Sequence, residues 1–376
     1  MKIIYIANIR VPTEKAHGYQ VVKVCENLAT LGHGVELWVP YRLNFIKENI
    51  FEFYKVKNNF KVRYIGRFDF FILENIIGSK ISFLMQSLSF LFLVWARNVR
   101  NKVIYTRNPE IIWLLQKYNC TFFSAHNWPV KKEKFFKHLV KNSQGIVANS
   151  FGTREVFQEK GFSKITVVPN GVDLEDFEFD NKDEIFVTNS KNKIVVMYVG
   201  HLYHWKGVDT IVECAKNISD EDFVFVIVGG VKEDVERHNK IIKHYQLENV
   251  ILTGTQSHSL IPKYLKKADI LLLPNLAVSE ESIKYTSPIK MFEYMASGKP
   301  IIASKLPSIE EVLSENNATL ISPGNYKSLI KELMKFKADP NLYKNKADVA
   351  KNDVLAYTWS NHAKKLMKFF NTICAE

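Results

Sequence analysis

Short apolar runs rich in β-branched residues alternate with amphipathic stretches along this whole chain. In the first half the spacing predicts strands over 3–7, 35–39, 62–65, 103–106, 121–125 and 145–148, and helices over 18–31, 81–97, 109–118, 130–142 and 152–160. The second half repeats the rhythm. Strands are expected over 193–199, 223–228, 250–253, 270–274, 300–304 and 318–321, and helices over 207–217, 232–246, 258–267, 288–297, 307–314 and 325–337. Strands that are apolar on both faces and alternate with helices belong in parallel sheets covered on both sides. A chain of 376 residues is long for one such core. The expected class is therefore α/β, with two doubly wound domains joined near Val167–Asp173. Ligands of such sheets bind outside the carboxyl ends of the strands, so the loops there are where function is sought.

Composition narrows the possibilities. With 47% hydrophobic and 24% charged residues the chain has an ordinary globular make-up. The segment MKIIYIANI carries one charge and then alternates, without a small-residue cleavage site, so it reads as a first strand and not a signal peptide. The most apolar window, Ile81 to Trp95, is short for a membrane span and is interrupted by Ser82, Gln86, Ser87 and Ser89. It reads as a buried or interfacial helix, and its aromatic and Leu-rich stripe over 83–95 counts first as core. Cys25, Cys120, Cys214 and Cys374 lie far apart, with no CxxC and no His at metal-ligand spacing. They are expected to be reduced core thiols of a cytosolic protein, forming neither a disulfide nor a zinc site.

Charge is unevenly placed. The formal net charge is +12, yet residues 1–170 hold 25 Lys+Arg against 11 Asp+Glu, so the first half carries all of the excess. Lys131, Lys132, Lys134, Lys137 and Lys141 are part of it. Basic residues beside an apolar segment favour an anionic membrane face, at about 1 kcal/mol per residue near the surface. Nucleic acid is the competing polyanion, and a solubilising surface without a partner is the plain alternative.

Two stretches carry chemistry. In YTSPIKMFEYMASGKPII, Ser287 is expected to cap a helix with Pro288 at its first position, Lys290 in its first turn and Gly298 at its end. Open N–H groups beside a lysine suit a phosphate, and Glu293 on the same helix suits sugar hydroxyls. A capped surface helix with a solvated Glu is the alternative. After the strand KIVVMYVG, the loop HLYHWKG places Gly200 at a backbone bend and Lys206 where a diphosphate could be met by a point charge. His201 and His204 are further donors. Neither a GxGxxG fingerprint nor a Walker A pattern is present in the sequence.

The ordered set VVPNGVD (167–173), VGHLYHWKG (199–207), VGG (228–230) and SPIKMFEYMA (287–296), with YTWS at 357–360, resembles the retaining glycosyltransferases of the GT-B fold, family 4. The resemblance implies two Rossmann-like domains facing across a cleft. An acceptor-side domain would span 1–170 together with a C-terminal helix over 360–376, and a nucleotide-sugar domain would span 171–359. It implies that Lys206 grips the donor diphosphate and Glu293 bonds the ribose. Gly200, His201, Ser287, Pro288, Ile289 and Lys290 would complete the donor site. Gly18 matches the glycine loop beneath the donor phosphates, and His126 the histidine beside the reacting sugar. Two positions depart from the pattern. Tyr285 stands where the first of two glutamates is usual, and His201 where arginine is common.

The donor would be a UDP- or GDP-linked sugar acting as co-substrate, with no cofactor. No metal site is expected, since Asp220 and Asp222 flank a helix end. Arg107 is a candidate for an anionic acceptor or for pairing with Glu110. The expected activity is transfer of a hexose, with retention of configuration, to a glycan or lipid-linked acceptor by a cytoplasmic, peripheral protein. No nucleic acid is expected as partner. The alternative is an inactive relic of the fold that binds a polyanion or a membrane.

Overall fold

The structure, a computed structural model, describes residues 1–178 and 192–375. The part of the expected second domain at 179–191 and residue 376 of the expected closing helix lie outside the described residues. The chain divides into two units, one of Met1–Asn149, Thr153–Pro169 and Trp359–Glu376, the other of Ser150–Gly152 and Asn170–Thr358.

The first unit is built on seven parallel strands: β1 (Lys2–Ile6), β2 (Gly34–Pro40), β3 (Lys61–Ile65), β4 (Val103–Thr106), β5 (Cys120–Ala125), β6 (Gly145–Ala148) and β7 (Ile165–Val167). Their order is β3-β2-β1-β4-β5-β6-β7, so the winding reverses between β1 and β4. The last strand was not anticipated. Three residues, ITV, are too few to show a period, and β7 exists because Ile165 pairs in register with Ile146. Around the sheet run α1 (Ala16–Thr30), α2 (Ile50–Tyr54), α3 (Glu74–Ile77), α4 (Ser79–Ala96), α5 (Pro109–Leu115), α6 (Glu133–Val140) and α7 (Phe151–Glu159).

Helix α4 departs from expectation. Only part of its stripe over 83–95 is core, since Phe90 and Val94 are buried with Leu91 and Leu93 packed beside them. The helix buries Ser82, Gln86, Phe90 and Val94 and leaves Ile81, Leu84, Leu88, Phe92 and Trp95 exposed. Gln86 decides the facing, because its Oε1 accepts the Phe70 N–H at 2.9 Å and its Nε2 donates to the Tyr41 carbonyl at 3.2 Å. Those bonds turn the polar side inward.

The second unit has six parallel strands: β8 (Ile194–Val199), β9 (Phe223–Val228), β10 (Val250–Gly254), β11 (Ile270–Leu273), β12 (Ile301–Ser304) and β13 (Thr319–Ile321). The order β10-β9-β8-β11-β12-β13 reverses between β8 and β11. Helices α8 (Val208–Lys216), α9 (Lys232–His244), α10 (Ile261–Lys267), α11 (Glu280–Lys284), α12 (Ile289–Ser297), α13 (Pro307–Glu310), α14 (Tyr326–Ala338) and α15 (Pro340–Asp353) cover it. Alternate residues of β8 face opposite ways. Val195, Met197 and Val199 meet α10 and α12, while Val196 and Tyr198 meet α8 and α14. Phe292 of α12 is fully buried against Tyr357, and its removal would cost about 3–5 kcal/mol.

The chain closes with α16 (Trp359–Cys374), which belongs to the first unit. Its Phe370 stacks on Phe122 of β5 with ring centroids 4.2 Å apart. That packing carries Cys374 to the start of β5, where it is disulfide-bonded to Cys120 across 254 residues of sequence. The expectation of four reduced thiols is therefore corrected. Distance along the chain had hidden a neighbour in space. Cys25 and Cys214 are free and buried, and burial pushes the Cys214 thiol up to about 12.

Candidate functional site

The carboxyl edge of the second sheet gathers the buried polar groups that its own unit leaves unpaired. Among the described residues of the second unit, the buried side-chain atoms without a hydrogen-bond partner are Asn170 Oδ1, both amide atoms of Asn275, Lys290 Nζ and Ser304 Oγ. Asn275 follows β11, Ser304 ends β12, and Lys290 lies in the first turn of α12. Buried polar groups are nearly always paired, so such a cluster marks a place where a ligand supplies what the protein leaves out.

Helix α12 positions the centre of this edge. It begins at Ile289 with Pro288 at the cap position, so Ser287 is not the N-cap that its sequence suggests. The Ser287 hydroxyl instead accepts the Asn170 N–H at 3.1 Å, while Asn170 Nδ2 donates to the Ser287 carbonyl at 2.6 Å. This pairing holds the turn before the helix and removes the serine oxygen from capping. Gly298 ends the helix in the left-handed region, as Gly commonly does.

Lys290 points its ammonium over the Tyr198 ring, 3.8 Å from the centroid, and is 9% exposed. Burial lowers its pKa well below the ordinary lysine value, and the neighbouring Lys206 lowers it further against the opposing pull of Glu293. Lys206 sits in a short 3-10 turn, His204–Lys206, with its Nζ 3.6 Å from the Trp205 ring centroid. Burial brings its pKa down to about 7, with Glu281 partly offsetting the effect. Two lysine side chains, one buried and one half-buried, thus interact at this edge, and a bound anion would favour the charged form of both. Gly200 opens the approach. Its φ is +140°, and a Cβ there would come within 3.4 Å of Lys290 Nζ.

Glu293, buried one turn along α12, meets His258 Nε2 at 2.8 Å. Burial pulls the His258 pKa down, but the carboxylate and its hydrogen bond more than reverse this, and the net shift is upward. The His258 ring therefore orients Glu293, and the carboxylate favours its charged form. Asn275 and His258 both escaped the sequence reading. Their one available signal was position, each lying in a loop or turn just past a strand end.

Other expected residues have different surroundings. His201 stacks on Tyr203 at 5.1 Å, and its backbone carbonyl accepts the Tyr198 hydroxyl at 2.6 Å. His204 faces Asp209 at 3.2 Å. Tyr285, in the place of the usual acid, is buried at the end of α11.

Gly18 and His126 belong to the first unit. Gly18 is not in a loop but in the first turn of α1, and its missing Cβ makes room for the Tyr54 hydroxyl and Thr13. That hydroxyl accepts the Thr13 N–H at 2.9 Å and donates to the Thr13 carbonyl at 2.8 Å, so local packing alone requires the glycine. His126 follows β5, with its Nε2 3.2 Å from Ser124 Oγ. Burial, then Arg107, His362 and His17, hold its pKa well below the usual value, so the ring is neutral at pH 7. Arg107 donates to Gln20 Oε1 at 2.9 Å and not to Glu110. Among the described residues no cluster of three or more His, Cys, Asp or Glu is placed to hold a metal ion.

This edge can be set beside known proteins. The family model described as "Glycosyltransferase Family 4" matches residues 18–176, and that of "Glycosyl transferases group 1" matches 180–353. An uncharacterized glycosyltransferase of Methanocaldococcus jannaschii is 25% identical over 243 residues, which are 63% of this chain and 60% of that protein. The chain thus spans less than two thirds of the curated relatives it matches. The UDP-Gal:alpha-D-GlcNAc-diphosphoundecaprenol alpha-1,3-galactosyltransferase of Escherichia coli is 33% identical over 157 residues, 38% of this chain and 37% of that one. The sucrose-phosphate synthase structure from Thermosynechococcus elongatus superposes with a TM-score of 0.77 at 16% identity, covering 100% of both chains. Two adjoining family models account for nearly the whole sequence, and the chain belongs to the family 4, group 1 glycosyltransferases with the GT-B fold.

Proposed function

We propose that the protein transfers a hexose from a UDP- or GDP-linked sugar to a glycan or glycolipid acceptor, with retention of anomeric configuration and without a metal ion. The observation that carries this is the pair of interacting lysines, Lys206 half-buried and Lys290 buried, beside unpaired polar atoms at one sheet edge. The galactosyltransferase relative, whose name gives a UDP-sugar donor and a lipid diphosphate acceptor, supports the donor and acceptor classes.

Breaking a sugar–phosphate bond builds negative charge on the leaving diphosphate. Fixed donors aimed at that charge lower the barrier, a single one by about 3 kcal/mol. Lys206 and Lys290 take this part, with the N–H groups of Ile289 and Lys290 at the start of α12. Gly200 lets the phosphates approach the backbone, with His201 beside it. Glu293, oriented by His258, accepts hydrogen bonds from the ribose. In the retaining step the acceptor hydroxyl attacks C1 on the face that the diphosphate leaves. The new C–O bond forms as the C1–O–P link breaks, and the hydroxyl proton passes to the diphosphate. His126, neutral and on the acceptor-side unit, orients the sugar or acceptor without acting as a base. Gly18 is assigned to the donor by its place in the family pattern. The acceptor class points to a cytoplasmic protein, peripheral on the inner membrane face.

Incubation with a panel of UDP- and GDP-sugars together with glycan and lipid-linked acceptors tests the reading. Nucleoside diphosphate release that survives EDTA and is lost in Lys206→Ala is expected, with an α-product from an α-donor by NMR. Absence of release from every donor would overturn the transferase, and an inverted product would overturn retention.

A further inference from the structure

We propose that α4, with α5 and α6 beside it, forms a face that docks on an anionic lipid bilayer. A surface helix ordinarily turns its apolar side inward. Here Ser82 is 0% and Gln86 2% exposed, while Leu88 is 56%, Phe92 62% and Trp95 58% exposed. With Ile81 and Leu84 these residues follow a three-to-four spacing and make one continuous stripe. Trp113 of α5 and Phe135 of α6 border the same apolar depression as Phe92 and Trp95, widening the stripe into a plate. Exposed apolar area of this extent on a folded protein marks an interaction surface.

Its rim is basic. Lys80 opens α4 and Arg97 follows its end, while Lys134 and Lys137 flank Phe135 on α6. Of the nearby acids, Glu110 of α5 lines the depression beside His138, and Glu133 is engaged by Lys160 at 2.6 Å, so basic residues outnumber acidic ones on the rim. An apolar plate rimmed by lysine and arginine, with tryptophans among its aromatic residues, matches the layering of an anionic interface. A second copy of the chain fits worse, because a self-facing contact would set lysine against lysine. Nor can α4 cross the bilayer from this fold, although its length and composition would allow a span. Phe90 and Val94 are locked into the core with Ile4, Ile104 and Ile111, and Gln86 is tied to Phe70 and Tyr41. The helix lies in the plane of the membrane.

The face also adjoins the working edge of its own sheet. Asn8, just past β1, donates through Nδ2 to Ser87 Oγ on α4 at 3.0 Å. A bilayer held there brings membrane-anchored molecules to the carboxyl ends of the first sheet. That consequence, an acceptor presented by the membrane, rests on the transferase reading; the docking itself does not.

The test uses the full chain and sedimentation with vesicles of phosphatidylcholine alone or with 30 mol% phosphatidylglycerol. Binding to the anionic vesicles at 50 mM salt, with most of it released at 0.5 M, is expected. Leu88→Glu with Phe92→Glu should abolish that binding, and Lys134→Ser with Lys137→Ser should weaken it by about tenfold or more. Quenching of tryptophan fluorescence by brominated lipid, reduced in Trp95→Phe and lost when Trp113→Phe is added, would support insertion of the plate. No sedimentation with either vesicle at low salt would overturn the proposal, as would binding unchanged by the glutamates. A dimer in solution that the glutamates dissolve, without vesicle binding, would overturn it in favour of a second copy. Nucleotide release measured without vesicles keeps a failed docking distinct from a failed transferase.

Discussion

The molecule uses lysine in two opposite ways. At the carboxyl edge of the second sheet, Lys290 is buried and Lys206 half-buried, the two are near enough to interact, and both are lowered in pKa. On the first unit, Lys134 and Lys137 stand in water around an exposed apolar plate. A buried cation acts over a few ångströms, is nearly immune to salt, and discriminates by geometry. An exposed cation attracts any anionic surface, and salt screens it within about 10 Å at 0.1 M. The first arrangement suits a small ligand held in one orientation, the second a broad surface with no preferred register.

The sharpest way to break this contrast is at the pair on the sheet edge. Lys206→Ala or Lys290→Ala should lower donor turnover by about 10²–10³-fold. A loss below tenfold in both, measured by nucleotide release, would remove them from the diphosphate. Next comes Glu293→Ala, expected to weaken UDP or GDP binding by about 10–100-fold, the range for a hydrogen bond to a charged group. His258→Ala should cost less, since it only orients the carboxylate. Equal losses in the two variants would make His258 a direct contact.

A smaller effect separates the two kinds of lysine by pH. Lys206 is charged below about 7 and loses its proton above it. Diphosphate affinity should therefore fall as pH rises from 7 to 9, by tenfold per unit at most. Calorimetry in buffers of different ionisation heat should show proton uptake on binding at pH 8. Vesicle binding should hardly change over that range but collapse with salt. A pH-independent affinity would mean that Lys206 is already charged without ligand.

The smallest expected change is in stability. Lys290 has a folded pKa lowered from its unfolded value, so burying its charge costs most at low pH, and the cost fades as pH rises toward the unfolded lysine value. Lys290→Met should raise the thermal midpoint at pH 6 by about 2–4 °C per kcal/mol recovered, with less gain at pH 9. A destabilised variant at pH 6 would show that Lys290 is paired in solution.

The fold was legible because the period of apolar residues is a local property. Val103–Thr106, Gly145–Ala148 and Phe223–Val228 are continuous apolar runs, and they became strands with those same bounds. Segments without such a period were missed, among them β7, α11 and α15. At the candidate site, Lys206, Lys290 and Glu293 stood out in the sequence because their types and spacing announce charge on and beside helices, and the structure brings them to one edge. Asn275 and His258 were not, since a lone asparagine or histidine in a loop has no period and many uses.

By itself the sequence determined the α/β rhythm, the two units, and the segment that became α12 with its glycine end. These follow from side-chain pattern and backbone preference, which act between near neighbours in the chain. Only the tertiary structure decided that Ser287 bonds Asn170 instead of capping, that Cys374 reaches Cys120, and that Gln86 turns inward and leaves Leu88 and Phe92 exposed. Each is settled by a partner tens to hundreds of residues away or by the competition of one buried hydrogen bond against apolar burial. No reading of local pattern contains that information.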